Sequence, residues 1–329
     1  MRLRSWIKLY LLFIVAHWPV VGKIDRMSIV TPDTPCAVLS WQQQTPVYGT
    51  ATVAKTWFLL EYPGPWTAKA PDDNQLPAEV NAWLQNLTAQ IPQSRLQVIK
   101  RPTASAVGGL VFYTATAGHL YRYQLSHYAD LLSLDWATLT HPAQQSQEQL
   151  LLVCTNGKRD RCCGQFGAAA FRLLATYLQE HPAASLESVW MTTHLGGHRF
   201  AATLVFLPAG LSYGLVQPEE IEVLVQTHRR GELMLARYRG RNGYAKPVQA
   251  AEFFLYQATG ATRQDVFTWV DAAATGPDTW QIQFHQPDNH TRHTVNVTVH
   301  TSATPVLVSC SPAKWEVDEL YWGEVSSEQ

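Results

Sequence analysis

The sequence has few charged residues and almost no imbalance between the two signs. Only 16% of its 329 residues are charged, and 25 Lys and Arg stand against 26 Asp and Glu, for a formal charge of -1. Because there is no basic excess to neutralise phosphates, we expect no nucleic-acid partner. Hydrophobic residues make up 46% of the chain, which is enough for a large core, and the length suggests about two domains or one duplicated domain.

Cysteine is also scarce, and its five residues are unevenly placed. Cys154, Cys162 and Cys163 fall within ten residues, while Cys36 and Cys310 lie far away on either side. An odd count with this crowding excludes a disulfide scaffold and favours metal binding or redox chemistry. Because Cys36 and Cys310 lie outside the repeats described below, we interpret them as buried or free thiols and not as ligands.

Several signatures of common enzymes are missing as well. The chain has no Gly-rich phosphate-binding loop, no Gly-x-Ser-x-Gly nucleophile elbow and no Cys-x-x-Cys dithiol. It also lacks a pair of carboxylates in a cleft-forming context, which glycoside hydrolysis requires. The sequence therefore argues against a glycosidase.

An uncharged, mostly apolar run of about 14 residues, 9–22, follows a basic start. It is shorter than the roughly 20 residues that a membrane-spanning helix needs. Three interpretations of 1–26 stay open: an extension upstream of a true start at Met27, a signal peptide or anchor, and an ordinary N-terminal helix. Unless the apolar segment is real, we predict no membrane association and a cytoplasmic protein.

The middle of the chain contains the same order of elements twice: strand, helix, three further strands or strand-like segments, and a helix. In the first copy the predicted strands are 57–62, 95–101, 109–114 and 119–124, and the helices are 77–90 and 128–134. In the second copy the strands are 149–154, 188–193, 202–207 and 212–216, and the helices are 167–180 and 218–230. We interpret this as two copies of one α/β unit.

A third part follows the second copy. A helical pattern covers 248–270 with a break at Thr259-Gly260, and a hairpin-like pair of strands, 280–285 and 293–300, comes after it. The predicted organisation is thus a leader at 1–26, an N-terminal unit at 27–145, a second unit at 146–240 and a C-terminal extension with helix and β-hairpin at 241–329.

Two short segments of the second unit combine cysteine and histidine. Cys154 ends a buried strand, and eight residues separate it from Cys163 at the start of a helix. The other segment, His194-Leu-Gly-Gly-His198, follows the next strand. Because functional groups gather where the strands of an α/β sheet end, we expect two thiols and two imidazoles to face each other at one edge.

A Cys2His2 set can hold one tetrahedral zinc ion or a [2Fe-2S] cluster. The eight residues between Cys154 and Cys163 are more than the two to four that usually separate the cysteines of a zinc finger. A wide loop suits a larger group than one ion, and Gly196 and Gly197 let the backbone approach it closely.

These motifs resemble the sucrase/ferredoxin-like family. The resemblance rests on CTNGKRDRCC from Cys154, THLGGHRFAAT from Thr193 and the EYPGPW segment ending at Trp66, and it covers about residues 36–235. The second unit is also similar to thioredoxin-like [2Fe-2S] ferredoxins, in which both positions matching His194 and His198 are cysteine. The implied fold is α/β (α+β), with two thioredoxin-like units in tandem. The first unit is degenerate, and the second is ferredoxin-like and carries the cluster.

The resemblance implies a [2Fe-2S] cluster with four ligands: Cys154, Cys163, His194 and His198. Cys162 is the alternative to Cys163, which we prefer because its Cys-Gly step matches the ferredoxin pattern. We favour an electron carrier over an enzyme, and we expect a pH-dependent potential because imidazole ligands can exchange a proton. Basic residues flank the ligands and favour an acidic redox partner protein. The alternatives are a structural zinc protein with the same ligands and a thiol oxidoreductase using Cys162 or Cys163.

Overall fold

The structure is a computed structural model of the full chain and describes residues 33–72, 75–101, 109–183 and 186–328. The predicted leader at 1–26 lies outside the described residues, so its three interpretations stay open. Within the described ranges, no helix is both long and apolar enough to cross a membrane. Residues 34–329 pack together as one unit.

The first half of this unit begins with a short helix and continues as a strand, a helix and a parallel strand, followed by an antiparallel hairpin. A 3-10 helix, Tyr128–Ser133, replaces the predicted last helix. The elements are α1 (Cys36–Gln42), β1 (Thr56–Glu61), α2 (Ala78–Gln90), β2 (Ser94–Lys100), β3 (Leu110–Thr116), β4 (His119–Leu125), α3 (Trp136–Leu139) and β5 (Gln145–Ser146).

The second half repeats this arrangement: a helix connects two parallel strands, an antiparallel hairpin follows, and a helix comes last. The predicted fold class, α/β with two thioredoxin-like units in tandem, is confirmed by this repeated topology. The elements are β6 (Gln149–Cys154), α4 (Ala168–Glu180), β7 (Glu187–Thr192), β8 (Leu204–Leu207), β9 (Leu211–Tyr213), α5 (Ile221–Arg229) and β10 (Tyr238–Arg241).

The two halves share one ten-stranded sheet in the order β10-β9-β8-β6-β7-β2-β1-β3-β4-β5. They meet where β2 pairs antiparallel with β7, with Ile99 opposite Thr192. Side chains alternate between the two faces of a strand, so Leu151 and Val153 pack with α4 while Leu150, Leu152 and Cys154 point to the other face. That second face carries one buried apolar layer, to which residues of both halves contribute.

The domain boundaries predicted at 145/146 and 240/241 stay predictions.

The C-terminal part adds a helix, α6 (Lys246–Thr259), and a four-stranded antiparallel sheet. The predicted helix over 248–270 is wrong beyond Thr259, because Gly260 adopts a left-handed conformation (φ +70°) that ends α6. The predicted hairpin is confirmed as the central pair of the sheet, whose outer strands sequence reasoning missed. The strands are β11 (Thr268–Gly276), β12 (Thr279–Gln286), β13 (Thr291–Thr301), β14 (Val306–Cys310), β15 (Ala313–Glu316) and β16 (Glu319–Glu328), with β14 and β15 forming a separate hairpin.

A buried carboxylate connects α6 to the edge strand β10. Glu252 is 1% exposed and accepts hydrogen bonds from Arg241 Nε at 2.7 Å and from the Tyr238 hydroxyl at 2.6 Å. Both partners lie on β10 and the acceptor lies on α6, so this buried network fixes the C-terminal helix against the edge of the large sheet.

His228 makes the stability of the second half depend on pH. Its ring packs on Phe206 with centroids 4.2 Å apart, and burial lowers its pKa from 6.5 to about 4. As pH falls the unfolded chain takes up this proton first, so stability is lost between pH 6.5 and pH 4, by at most about 3 kcal/mol. In urea unfolding at pH 7 and pH 5, His228→Leu should reduce this acid-side loss. The exposed His181→Leu should keep the loss, and an equal loss in both variants would contradict the prediction.

Candidate metal centre

Cys154 and Cys163 are brought together by a tight connection between β6 and α4. Cys154 is the last residue of β6, and Cys163 begins a π-helical turn, Cys163–Gly167, that runs directly into α4. Glycine is needed here because a Cβ on Gly167 would overlap the carbonyl oxygen of Cys154. Both thiols are 1% exposed. The strand end and the helix start therefore present two buried sulfurs to one point.

His194 and His198 lie on a turn that two left-handed glycines make possible. Gly196 and Gly197 have φ values of +91° and +76°, which side chains other than glycine rarely adopt. The two imidazoles stack with centroids 4.1 Å apart and planes inclined by 22°. The first half of the sheet also supports this turn, because Arg95 on β2 donates a hydrogen bond from Nη2 to the His194 carbonyl at 2.5 Å.

The four side chains converge at this end of the sheet. The Cys163 sulfur lies 3.6 Å from His198 Nδ1. Hydrogen bonds from Cys163 and His194, and from the Leu195 backbone N–H, hold the pKa of Cys154 well below its usual value. Burial, together with the neighbouring His194, lowers the pKa of His198 to about 4. The neutral imidazole of His198 is thus favoured near pH 7, and the surroundings of Cys154 shift it toward the thiolate; these are the forms that bind metals.

Sequence reasoning missed a buried arginine beside these groups. Arg239, on β10, is 3% exposed and donates from Nη1 to the Gly196 carbonyl and from Nε to Thr50 Oγ1, both at 3.0 Å. Burial and the nearby Arg199 lower its pKa to about 9, while Cys154 and Cys163 act in the opposite direction. It places a positive charge behind the histidine turn. Nothing near Arg239 in the sequence marks it as part of a site.

Cys162, the alternative to Cys163, points elsewhere. Its sulfur lies 3.4 Å from the sulfur of Cys36 and 3.6 Å from that of Cys310. The sequence analysis interpreted Cys36 and Cys310 as two separate thiols outside the repeats. It did not predict that both lie beside Cys162. The adjacent residues Cys162 and Cys163 therefore belong to two different groups of side chains.

The histidines open onto two clefts. His198 lines a cleft of about 810 Å³ and His194 lines another of about 390 Å³. Lys69 and Arg159 line both clefts. In the larger cleft the carboxylates of Glu316, Asp318 and Glu319 are ion-paired with Lys314, Arg199 and Lys246 respectively. The surface next to the histidines is consequently basic, while both cysteines lie deeper.

Comparison with known proteins links the chain to a family. The sucrase/ferredoxin-like family matches residues 47–240, more than half of the chain. "Altered inheritance of mitochondria protein 32" of Meyerozyma guilliermondii is 32% identical over 101 residues, which are 30% of this chain. The matched chain spans 36% of the length of that relative.

Two solved structures of a thioredoxin-like [2Fe-2S] ferredoxin from Aquifex aeolicus resemble part of the chain. One is 18% identical and covers 30% of this chain and 97% of its own, with a TM-score of 0.27. The other, the wild-type protein at 1.5 Å resolution, is 20% identical and covers 28% and 97%, with a TM-score of 0.25. On the match over residues 47–240, which contains all four converging side chains, the chain belongs to the sucrase/ferredoxin-like family.

Proposed function

We propose that this protein is a one-electron carrier that holds a [2Fe-2S] cluster on Cys154, Cys163, His194 and His198. The observation that carries the proposal is the convergence of two buried thiols with two half-buried imidazoles at the end of one sheet. When bound, such a cluster supplies one electron at a time at a potential set by its ligands and their surroundings.

The donor set fits such a cluster chemically. Thiolate sulfur and imidazole nitrogen are the protein ligands that [2Fe-2S] centres use. The Leu195 N–H donates to the sulfur of Cys154, and hydrogen bonds to ligand sulfurs raise the potential of a cluster. Arg239 places a buried positive charge near both thiols, where it would offset the negative charge that reduction adds.

The other two candidate functions receive less support. A thiol oxidoreductase needs a reactive sulfur that a substrate can reach, and Cys162 and Cys163 are 0% and 1% exposed. A structural zinc ion on the same four ligands remains the competing proposal, and metal analysis separates it from the cluster. The cytoplasmic location stays a prediction.

The basic clefts favour an acidic redox partner protein. Lys69 and Arg159 are exposed and line the clefts that His194 and His198 also line, so a carboxylate-rich surface would be drawn toward the histidine side of the site. We expect the rate of electron exchange with an acidic redox protein to fall as ionic strength rises. A rate that does not change with salt would argue against this docking side.

The direct test is metal analysis of anaerobically purified protein. We expect a coloured protein with about two iron and two acid-labile sulfide per chain, whose visible absorption bleaches with dithionite. Colourless protein that contains zinc on these four ligands and no iron would overturn the proposal in favour of the structural zinc site.

Adjacent cysteines provide a matched pair of variants. Cys163→Ser should lose most of its iron because the substitution removes one of the proposed ligands, whereas Cys162→Ser should keep about two irons per chain. The two positions are equally buried and receive the same substitution, so a general loss of stability would affect both. Iron retained in Cys163→Ser and lost in Cys162→Ser would reverse the assignment.

A further inference from the structure

A second group of metal-ligating side chains lies beside the first and has no part in the proposed cluster. Cys36 begins α1, Asp160 and Cys162 come just before the π-helical turn that leads into α4, and Cys310 ends β14. Their four ligand atoms all lie within 4.8 Å of one another. Three segments far apart in sequence thus meet at one point, since Cys162 is 126 positions after Cys36 and Cys310 is 148 positions after Cys162.

The spacing of these atoms suits a single ion. Four ligands at about 2.3 Å from one tetrahedral zinc ion stand about 3.8 Å apart, and the sulfur separations here are 3.4 and 3.6 Å. Among the residues that the structure describes, this is the one group of three or more His, Cys, Asp or Glu side chains that crowds so closely. The proposed cluster ligands are not gathered in this way, as expected if they hold a larger group.

The carboxylate of Asp160 is fixed in place by its neighbours. Asp160 is 0% exposed, its Oδ1 accepts from the Cys162 N–H at 2.8 Å, and its Oδ2 accepts from the Cys310 N–H at 2.8 Å and from the Ser309 hydroxyl at 2.9 Å. A carboxylate offers about four lone-pair positions, so one remains for a cation. Such hydrogen bonds orient a metal ligand before the metal arrives.

Burying this group without a cation is unfavourable. Cys36 and Cys162 are both 0% exposed beside the carboxylate. Within the described ranges, the ion pairs of the chain do not include Asp160. Several acidic groups brought together out of water are stable when they coordinate a metal ion. Thiolate-rich sets with one carboxylate select zinc over magnesium or calcium.

We propose that Cys36, Asp160, Cys162 and Cys310 bind one structural zinc ion. The set has four protein ligands and therefore no open position, which is the arrangement of a structural and not a catalytic site. The ion fastens α1 and the hairpin of β14 and β15 to the loop that ends in Cys163. The existence of this site does not depend on the proposed function.

Metal counts in matched variants of the full chain test this site. Wild-type protein prepared anaerobically with zinc should carry about one zinc per chain. The zinc content per chain of Cys36→Ser and of Cys310→Ser should fall at least tenfold, while most of their iron remains. Cys154→Ser should show the reverse, with iron lost and zinc kept. Ser40→Ala, a buried substitution on α1 that removes no ligand, should keep both metals.

A second measurement covers the case in which a single variant fails to fold. In a Cys154→Ser/Cys163→Ser background only Cys36, Cys162 and Cys310 remain of the five cysteines. Cobalt(II) added under reducing conditions should bind at one equivalent with strong thiolate charge-transfer absorption, and zinc should displace it.

Either of two results would overturn the zinc site: wild-type protein below about a tenth of an equivalent of zinc after reduction and reconstitution, or zinc that persists in both Cys36→Ser and Cys310→Ser. Absence of iron together with zinc that is lost in these two variants would instead overturn the proposed cluster and support the zinc site.

Discussion

Replacing both His194 and His198 by cysteine should keep iron in the protein and lower its midpoint potential by about 200 mV or more. Two thiolates in place of two neutral imidazoles make the centre more negative and so disfavour reduction. The range for His-ligated [2Fe-2S] centres is about -150 to +300 mV, against about -400 mV for all-cysteine plant-type ferredoxins. An anaerobic redox titration followed by visible absorption and electron paramagnetic resonance measures the change.

The same double variant should remove the dependence of the potential on pH. If the two imidazoles ligate a cluster as proposed, its oxidised form would make them more acidic, reduction would be accompanied by proton uptake, and the potential would fall as pH rises by about 59 mV per pH unit for each proton taken up. Nδ1 of His198 faces the sulfur of Cys163 at 3.6 Å. Nε2, the other ring nitrogen, points away from that sulfur and is the atom that would gain or lose the proton. Cysteine ligands have no proton to exchange in this way.

A second histidine pair supplies the control. His285 and His290 face each other at the β12–β13 hairpin with ring centroids 6.2 Å apart, and His285→Cys/His290→Cys should leave the potential unchanged. If the variant of His194 and His198 contains no iron, or if its potential equals that of the wild type, the two histidines are not the ligands. A wild-type potential that is flat with pH would remove the proton coupling alone.

The sequence predicted the large sheet well because its strands carry strong local patterns. The run Gln149–Cys154 is a strand with the predicted bounds, and Ala78–Gln90 differs from the predicted helix by one residue. The secondary structure of the C-terminal part was harder to predict, because residues 261–270 have no apolar periodicity that distinguishes a helix from a strand. The outer strands β11 and β16 are partly exposed, so their apolar alternation is weak. β16 also pairs with β13 across the intervening β14–β15 hairpin, which a local pattern cannot show.

The first group of ligands could be anticipated for a related reason. Cys154 ends β6 and His194 follows β7, and these two strands are parallel neighbours, so topology alone brings their ends together. Arg239 reaches the same place from β10, through a hydrogen bond to Gly196, and the meeting of Cys36 with Cys310 depends on how the C-terminal hairpin packs. These contacts follow from the tertiary arrangement and have no short-range signal.

Replacing Gly167 by alanine should damage the metal centre more than the same replacement at any other glycine near it. The added Cβ would overlap the carbonyl oxygen of Cys154 and lie 3.0 Å from its carbonyl carbon. Backbone atoms cannot rotate away, so either the end of β6 or the start of α4 must move. Each of these elements supplies one of the two cysteines, and the distance between the sulfurs would change with them.

We expect Gly167→Ala to cost about 3 kcal/mol or more in unfolding free energy, to lower Tm by about 5 °C, and to lose most of its bound iron. Gly243→Ala is the matched control, because nothing lies within 4 Å of a Cβ built there and a surface change of this kind stays within about 0.5 kcal/mol. Thermal unfolding and iron analysis of both variants decide the matter. If Gly167→Ala keeps the iron content and the Tm of the wild type, the prediction is wrong. The close contact between the end of β6 and the start of α4 would then not determine where Cys154 and Cys163 lie.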